Sequence, residues 1–320
     1  MAPGPVEVPP EVLVAAALPI PHHRTKEFRT ALQESLEGLK RIFGTAFPVV
    51  PFASSGTGAM EAAVASFFSP GEEVLVTVCG NFSQRWAELC EAYGLTVHRI
   101  ETTWGEPVEP KELAAKMRRH DHYAGVFTTF SETSTGVEND IAALGRVVHP
   151  TGSLFVVDGI SGVGALPFKM DAWGVDVLAV GSQKGLMVPP GLSFLSVSDR
   201  ARGRLAKARN PRFYLSVDRA LAALEKGALP DTPFTPAVSL ILQLREAVRA
   251  IEREGLTEVW KRTARLGEAT RAAVVALGLK LLASRGQSNV VTAVDCAGGP
   301  DPDEIVKRMR DEFGVSLIGG

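Results

Sequence analysis

Cysteine is scarce in this chain. Only three occur in 320 residues, Cys79, Cys90 and Cys296, and none belongs to a CxxC pair or to a Cys/His cluster with zinc-ligand spacing. A sparse, odd number of cysteines argues against a disulfide scaffold or a structural zinc site and is typical of a reducing compartment. We therefore expect a cytoplasmic protein whose cysteines fill apolar space.

Net charge and long apolar segments are also lacking. The 34 Lys and Arg residues nearly balance the 36 Asp and Glu residues, so there is no basic excess to neutralise the phosphates of a nucleic acid. No apolar run approaches the roughly 20 residues that span a bilayer. The opening segment MAPGPVEVPPEV lacks the basic and apolar regions of a signal peptide. We expect neither a nucleic-acid partner nor a membrane partner.

Apolar residues are abundant, at 45% of the chain, which is enough for a large core and suggests one large domain and one smaller one. Their continuous runs indicate strands that are buried on both faces, as in a mostly parallel sheet with helices on each side. The predicted strands are 73–78, 95–100, 124–130, 154–158, 176–182 and 192–198.

The last third of the chain has a different pattern. A proline-punctuated loop leads into a long helix at 236–254 and then a second helix, after which SNVVTAVDC (288–296) and VSLIGG (315–320) predict strands on either side of a further helix. We predict a large ligand-binding domain at 1–235 and a small α+β domain at 236–320. The N-terminal segment 1–20 is expected to cross to the small domain.

Ligands of α/β sheets gather at the carboxyl ends of the strands, and three turns there carry suitable residues. The segment SSGTG (54–58) precedes a helix, where it can hold a phosphate or cap the helix. Phe82 can stack on a flat ligand or act as a core staple for the next helix. Ser134 belongs to the polar turn SETSTG, which is either a capped turn or part of a site.

Two further strand ends carry charge. Asp158 closes the apolar run LFVVD, where a carboxylate is costly unless it meets a cation or hydrogen-bond donors. Lys184 stands between two apolar runs in VLAVGSQKGLMVPPGLSFLSVS, and a partly desolvated lysine has a lowered pKa and can act as a nucleophile. A lysine that is only a solvated turn residue would leave the preceding Ser-Gln and the following Pro-Pro-Gly unexplained.

One ligand, pyridoxal phosphate, accounts for all five features. The 54–58 loop suits its phosphate, Phe82 its ring face, Ser134 its ring hydroxyl, Asp158 its ring nitrogen and Lys184 its aldehyde. The charge of Asp158 would keep the ring nitrogen protonated, so that the ring withdraws electrons from a substrate carbanion.

The segment GSQKGLMVPPGLSFLSVS closely resembles the cofactor-lysine region of class V aminotransferases, in the branch of the alanine–glyoxylate, serine–pyruvate and aspartate aminotransferases. The resemblance extends over nearly the whole chain, through PGPVEVPPEV, HHRTKEFR, SSGTGAMEA, GNFSQR, ETSTGV, VVDGISGVGA and TPFTPAVSLI. It implies the fold-type I architecture of pyridoxal phosphate enzymes, with a mostly parallel seven-stranded sheet flanked by helices and a smaller α+β C-terminal domain.

The resemblance also implies individual roles. Lys184 would form the Schiff base with the cofactor and move the proton between substrate and cofactor, while Phe82 stacks on the ring, Asp158 pairs with its nitrogen and Ser134 lies near its oxygen. The phosphate would be held by Ser55, Gly56, Thr57 and Gln183. Thr235 would reach the phosphate of the neighbouring subunit, which implies a homodimer with shared active sites, and Gly4 would lie near the substrate.

The resemblance predicts transamination between a small amino acid (alanine, serine or aspartate) and a 2-oxo acid (glyoxylate or pyruvate). A cofactor-binding but inactive subunit stays open, as does a cysteine desulfurase-like lyase, although such lyases stack a histidine where this chain has Phe82. The family continues beyond VSLIGG into a segment with the arginine that binds the substrate carboxylate. We therefore expect the chain to be a C-terminally shortened form.

Overall fold

The computed structural model describes residues 3–299 and 301–319. Its helices are α1 Pro10–Ala15, α2 Lys26–Phe43, α3 Gly56–Phe67, α4 Asn81–Ala92, α5 Pro110–Arg118, α6 Ile141–Val148, α7 Asp199–Arg202, α8 Val217–Leu224, α9 Val238–Glu254, α10 Leu256–Ala276 and α11 Pro302–Phe313. Its strands are β1 Val49–Phe52, β2 Glu73–Val78, β3 Thr96–Glu101, β4 Gly125–Thr129, β5 Ser131–Glu132, β6 Val137–Glu138, β7 Leu154–Asp158, β8 Val177–Gly181, β9 Ser193–Val197, β10 Lys280–Leu281 and β11 Val294–Asp295.

The main sheet has seven strands in the order β1-β9-β8-β7-β4-β2-β3. The five strands from β8 to β3 run parallel to their neighbours, and β9 runs antiparallel to both β8 and β1. The predicted mostly parallel, seven-stranded sheet is therefore confirmed. All six apolar runs form strands. The seventh, β1, is a four-residue run that contains Pro51, and a proline within a short run weakens the sequence signal for a strand while remaining tolerable at a sheet edge.

Alternate residues of each central strand enter different cores, because successive side chains point to opposite faces. In β7, Leu154 and Val156 pack into the core under α3, α4 and α8. Phe155 and Val157 pack into the core under α2, α5, α6 and α9. Burial on both faces explains why these strands are uninterrupted apolar runs.

The C-terminal third is more weakly packed. Helix α9 contacts α1 and α2, so part of the 1–20 segment meets the helix that opens the predicted small domain. Beyond α10 the chain forms the two-stranded pair β10–β11 and helix α11, none of whose residues is buried. The division into two domains remains a prediction.

Two strand predictions in this region differ from the structure: one strand is shorter than predicted and the other does not form. The 288–296 run is a strand only at Val294–Asp295, and residues 315–319 form no strand. A strand needs a hydrogen-bonded neighbour, and within the described residues the 315–319 segment pairs with none. Gly320 lies outside the described residues. No helix within 3–299 and 301–319 combines the length and the hydrophobicity that crossing a lipid bilayer requires.

Candidate active site

Lys184 lies at the carboxyl end of β8, as the sequence predicts, and its amine is held by hydroxyl groups. Its Nζ donates to Ser161 Oγ at 2.8 Å and to Thr133 Oγ1 at 3.4 Å. The same Nζ lies 5.3 Å from the centre of the Phe82 ring. Burial lowers the pKa of Lys184, and the charges of Asp158 and Glu132 oppose that shift. The amine is therefore easier to deprotonate than that of a surface lysine.

Asp158 ends β7 beside the end of β8, with only 4% of its surface exposed. Its Oδ1 accepts one hydrogen bond, from the backbone N–H of Ile160 at 2.8 Å. Burial, reinforced by the nearby charge of Glu132, raises the pKa of Asp158 to about 7, against the lowering effects of the Ile160 hydrogen bond and of Lys184. A cation placed beside this carboxyl group would favour its ionised form.

Glu132 organises the turn that carries Phe82, a role that sequence reasoning did not assign to it. Its side chain is fully buried and accepts hydrogen bonds from the backbone N–H groups of Phe82 at 3.2 Å and Ser83 at 2.8 Å. It also accepts from the hydroxyls of Ser83 at 2.9 Å and Ser134 at 2.7 Å. Helix α4 has Gly80 at its N-cap and no side-chain cap of its own. A carboxylate from 50 residues away therefore replaces the cap.

The same contacts explain why Gly80 precedes the helix. A Cβ at Gly80 would lie 2.6 Å from Glu132 Cδ, so a larger residue would push the carboxylate away. Ser134 Oγ, besides donating to Glu132, accepts from the backbone N–H of Asn81 at 2.9 Å. Ser134 thus braces the Phe82 turn, whereas its neighbour Thr133 is, with Ser161, one of the two hydroxyls that contact Lys184.

The N-terminus of α3 and Arg85 form a second polar group next to Phe82. Ser55 is the N-cap residue, but its side chain makes no capping hydrogen bond to the helix. Arg85 donates to Thr57 Oγ1 at 3.1 Å, and its guanidinium lies 5.0 Å from the centre of the Phe82 ring. The spacing of Phe82 and Arg85 could have indicated this role, since residues three apart on a helix lie on the same face.

Gly4, Gln183 and Gly56 lie around the same strand ends. A Cβ at Gly4 would approach Lys184 Cγ to 3.1 Å and Cε to 3.2 Å, so only a residue without a side chain fits there unmoved. The backbone N–H of Val6 donates to Gln183 O at 3.0 Å. Gln183 Oε1 is buried and has no hydrogen-bond partner among the described residues. A Cβ at Gly56 would overlap Ile160, two residues after Asp158.

Thr235 is the one predicted site residue that stands apart. It lies exposed in the loop between α8 and α9, and within the described residues no hydrogen bond links it to the group around Lys184. The structure thus gathers Lys184, Asp158 and Phe82, with Gly4, Gln183 and the 55–57 loop around them, at one end of the sheet.

Comparison with known proteins identifies the family. Residues 15–320 match the family model described as "Aminotransferase class-V". The chain belongs to the class V aminotransferases. Such enzymes of this fold use pyridoxal phosphate, so this class V aminotransferase is a pyridoxal phosphate-dependent enzyme that transfers amino groups.

Named relatives cover the whole chain. It is 40% identical to the "Soluble hydrogenase, small subunit" of Synechococcus sp., over 100% of the chain and 83% of that protein. It is 38% identical to the L-aspartate–glyoxylate aminotransferase of Paracoccus denitrificans, over 99% of the chain and 81% of that protein. The solved structure of an alanine–glyoxylate aminotransferase from Nostoc sp. superposes with a TM-score of 0.94 at 30% identity, covering 100% of this chain and 85% of that one.

The residues at the strand ends suit this cofactor. The uncapped start of α3 offers backbone N–H groups to a phosphate, with the cation of Arg85 beside it. The buried Gln183 Oε1 has no hydrogen-bond partner among the described residues, so this side chain is available to a bound group. The carboxyl of Asp158, with its raised pKa, gains its charge most readily beside a protonated ring nitrogen.

Proposed function

We propose that this enzyme transfers the amino group of a small amino acid, namely alanine, serine or aspartate, to glyoxylate or pyruvate. The observation that carries the proposal is the placement of Lys184 Nζ over the Phe82 ring at the end of the strand that neighbours Asp158. Among the aminotransferase relatives, those from Paracoccus denitrificans and Nostoc sp. are named for glyoxylate, which favours glyoxylate as the acceptor.

When bound, pyridoxal phosphate supplies an electron sink that stabilises negative charge at the substrate Cα. In our proposal Ser55, Gly56, Thr57 and Gln183 hold its phosphate, with Arg85 adding a charge-assisted contact. The Phe82 side chain covers one face of the ring and excludes water from it.

Lys184 acts as the base in this scheme. A neutral amine at its Nζ would take the proton from the substrate Cα and deliver it to the cofactor carbon that bears the amino nitrogen, and the second half of the transfer would move a proton in the opposite direction. The hydroxyls of Ser161 and Thr133 accept hydrogen bonds from the N–H groups of Lys184 and so orient the lone pair on Nζ. Asp158 holds the proton of the ring nitrogen in place, because an ionised carboxylate favours the charged form of a neighbouring base.

We also propose a homodimer with shared active sites, in which Gly4 lies near the substrate of its own subunit and Thr235 binds the phosphate in the other one. Exposed apolar residues near the N-terminus support an unfilled interface, since Leu13, Val14, Leu18 and Ile20 are each more than half exposed. A cytoplasmic location is part of the proposal and is supported by three unpaired cysteines.

A second candidate is a cofactor-binding subunit without turnover, favoured by the 40% identity to a relative named as a hydrogenase small subunit. The hypothesis of a cysteine desulfurase-like lyase has less support. Cys296 follows β11, its Sγ donates to the Val294 carbonyl, and no hydrogen bond among the described residues joins it to the Lys184 group.

Turnover measurements separate these readings. The purified enzyme, supplied with cofactor, should transfer amino groups from at least one of alanine, serine and aspartate to glyoxylate. Borohydride should fix the cofactor to Lys184, as read by peptide mass spectrometry. In Lys184→Ala the adduct should be absent and kcat should fall at least about a hundredfold. The control Lys207→Ala, at an exposed lysine, should keep both the adduct and the wild-type kcat. An adduct without any turnover from the three donors to glyoxylate, or from serine or aspartate to pyruvate, would favour the inactive subunit.

A further inference from the structure

Two histidines and one carboxylate meet at the end of the sheet opposite the Lys184 site. Glu73 is the first residue of β2, His98 lies in the edge strand β3, and His120 follows α5 by two residues. Glu73 Oε2 lies 2.7 Å from His98 Nε2 and 2.8 Å from His120 Nε2. The ligand atoms of all three side chains lie within 4.8 Å of one another.

We propose that Glu73, His98 and His120 form a binding site for a divalent transition-metal ion, with Zn²⁺ as the best match. Two imidazole nitrogens and one carboxylate oxygen are a ligand set that Zn²⁺ binds, with a fourth position left for water. Mg²⁺ and Ca²⁺ prefer oxygen ligands throughout and fit this set poorly.

The spacing requires only a small adjustment. Ligand bonds of about 2.0–2.2 Å at tetrahedral angles separate neighbouring ligand atoms by about 3.3 Å. The present Nε2–Oε2 distances of 2.7 and 2.8 Å are those of hydrogen bonds, so each of these two separations must lengthen by roughly half an ångström. The side chains are 23% to 44% exposed, which leaves room for this shift and gives a metal ion access from solvent.

The surroundings hold the two rings in place before any metal binds. Tyr123, which is 2% exposed, stacks on His120 with ring centres 4.1 Å apart and planes 13° apart. The edge of His98 meets the same tyrosine at 5.2 Å. His120 Nδ1 is buried and has no hydrogen-bond partner in the described residues, so the ring orientation rests on the Tyr123 contact and on Glu73.

A metal here would act on stability. It would join β2, the edge strand β3 and the connection after α5, at the start of the strands, whereas Phe82 follows the far end of β2. Six strand residues span roughly 20 Å, so the ion would not reach the reacting atoms. Binding to the native state alone raises the unfolding temperature by mass action.

The test uses the cofactor-loaded enzyme carrying Cys296→Ser, so that the half-exposed thiol cannot compete for metal. After chelator treatment and its removal, Zn²⁺ in phosphate-free buffer should bind at one ion per chain by calorimetry and raise the melting temperature. In the double variant His98→Gln/His120→Gln the dissociation constant for Zn²⁺ should rise more than about tenfold, and Zn²⁺ should no longer raise the melting temperature. His149→Gln, on an exposed histidine outside the cluster, should keep both.

Binding should also weaken as the pH falls, because protons compete with the metal ion for the ligand nitrogens. Failure of the wild-type cluster to bind Zn²⁺, or equal binding by the double variant, would overturn the site. If the double variant does not fold, the ring signals of ¹³C-labelled histidines in the unsubstituted protein decide. Two of the six histidines must shift on Zn²⁺ addition, and shifts at other histidines alone reject the proposal.

Discussion

Asp158→Asn should stabilise the cofactor-free protein and at the same time abolish most of its activity. The carboxyl is buried, and its pKa rises from 3.8 to about 7, which corresponds to on the order of 4 kcal/mol against the ionised form. The folded state therefore keeps this proton to a higher pH than the unfolded chain does. Unfolding releases the proton, so this group's contribution to stability is lost as the pH rises from about 4 to about 7.

Asparagine keeps the shape and the acceptor for the Ile160 N–H but carries no charge to desolvate. Near pH 8 the cofactor-free variant should exceed the wild type in unfolding free energy by up to about 4 kcal/mol, because the amide avoids the cost of burying a charge; the attraction of Lys184 is already contained in the raised pKa of Asp158. Near pH 4 the two should be about equally stable. With cofactor bound, kcat should fall by several orders of magnitude, because no negative charge then keeps the ring nitrogen protonated.

Urea unfolding of the cofactor-free proteins at both pH values, together with kcat of the loaded enzymes, gives the comparison. Asp176→Asn is the matched control, since Asp176 is equally buried but pairs with Arg200 at 3.0 Å and accepts from Phe155 N and Ser198 Oγ. Its loss should destabilise the protein near pH 8. The reasoning is refuted if Asp158→Asn is the less stable protein near pH 8, or if kcat falls less than about tenfold.

Three further substitutions probe the contacts around the ring. Glu132→Gln sets a donor against donors at the Phe82 turn, so thermal unfolding should show a loss of about 2–4 kcal/mol with weaker cofactor binding; an unchanged melting temperature would contradict its capping role. Arg85→Met should raise the cofactor dissociation constant about tenfold while kcat at saturating cofactor changes less, and equal affinity would remove Arg85 from the phosphate contacts. Gly4→Ala should displace the Lys184 side chain and lower kcat without altering the melting temperature, and a wild-type kcat would show that the lysine tolerates the methyl group.

The sequence determined the sheet, because burial on both faces leaves a direct mark. The strands β4, β7, β8 and β9 are buried at every position and mostly apolar, and all six runs identified in the sequence are strands. It also predicted that charged residues at the ends of two such strands, Asp158 and Lys184, belong to one site, because carboxyl ends of neighbouring parallel strands share an edge. The resemblance supplied the family, which the comparisons confirm.

Tertiary structure alone decided the contacts between residues distant along the chain. Glu132 caps a helix 50 residues earlier and Arg85 reaches back 28 residues to Thr57, and no local pattern encodes either pairing. The raised pKa of Asp158 depends on how completely neighbouring strands exclude water from it. Glu73, His98 and His120 are unremarkable surface residues in the sequence. They become a candidate metal site because parallel pairing of β2 with β3 and the path of the chain after α5 bring three separate segments together.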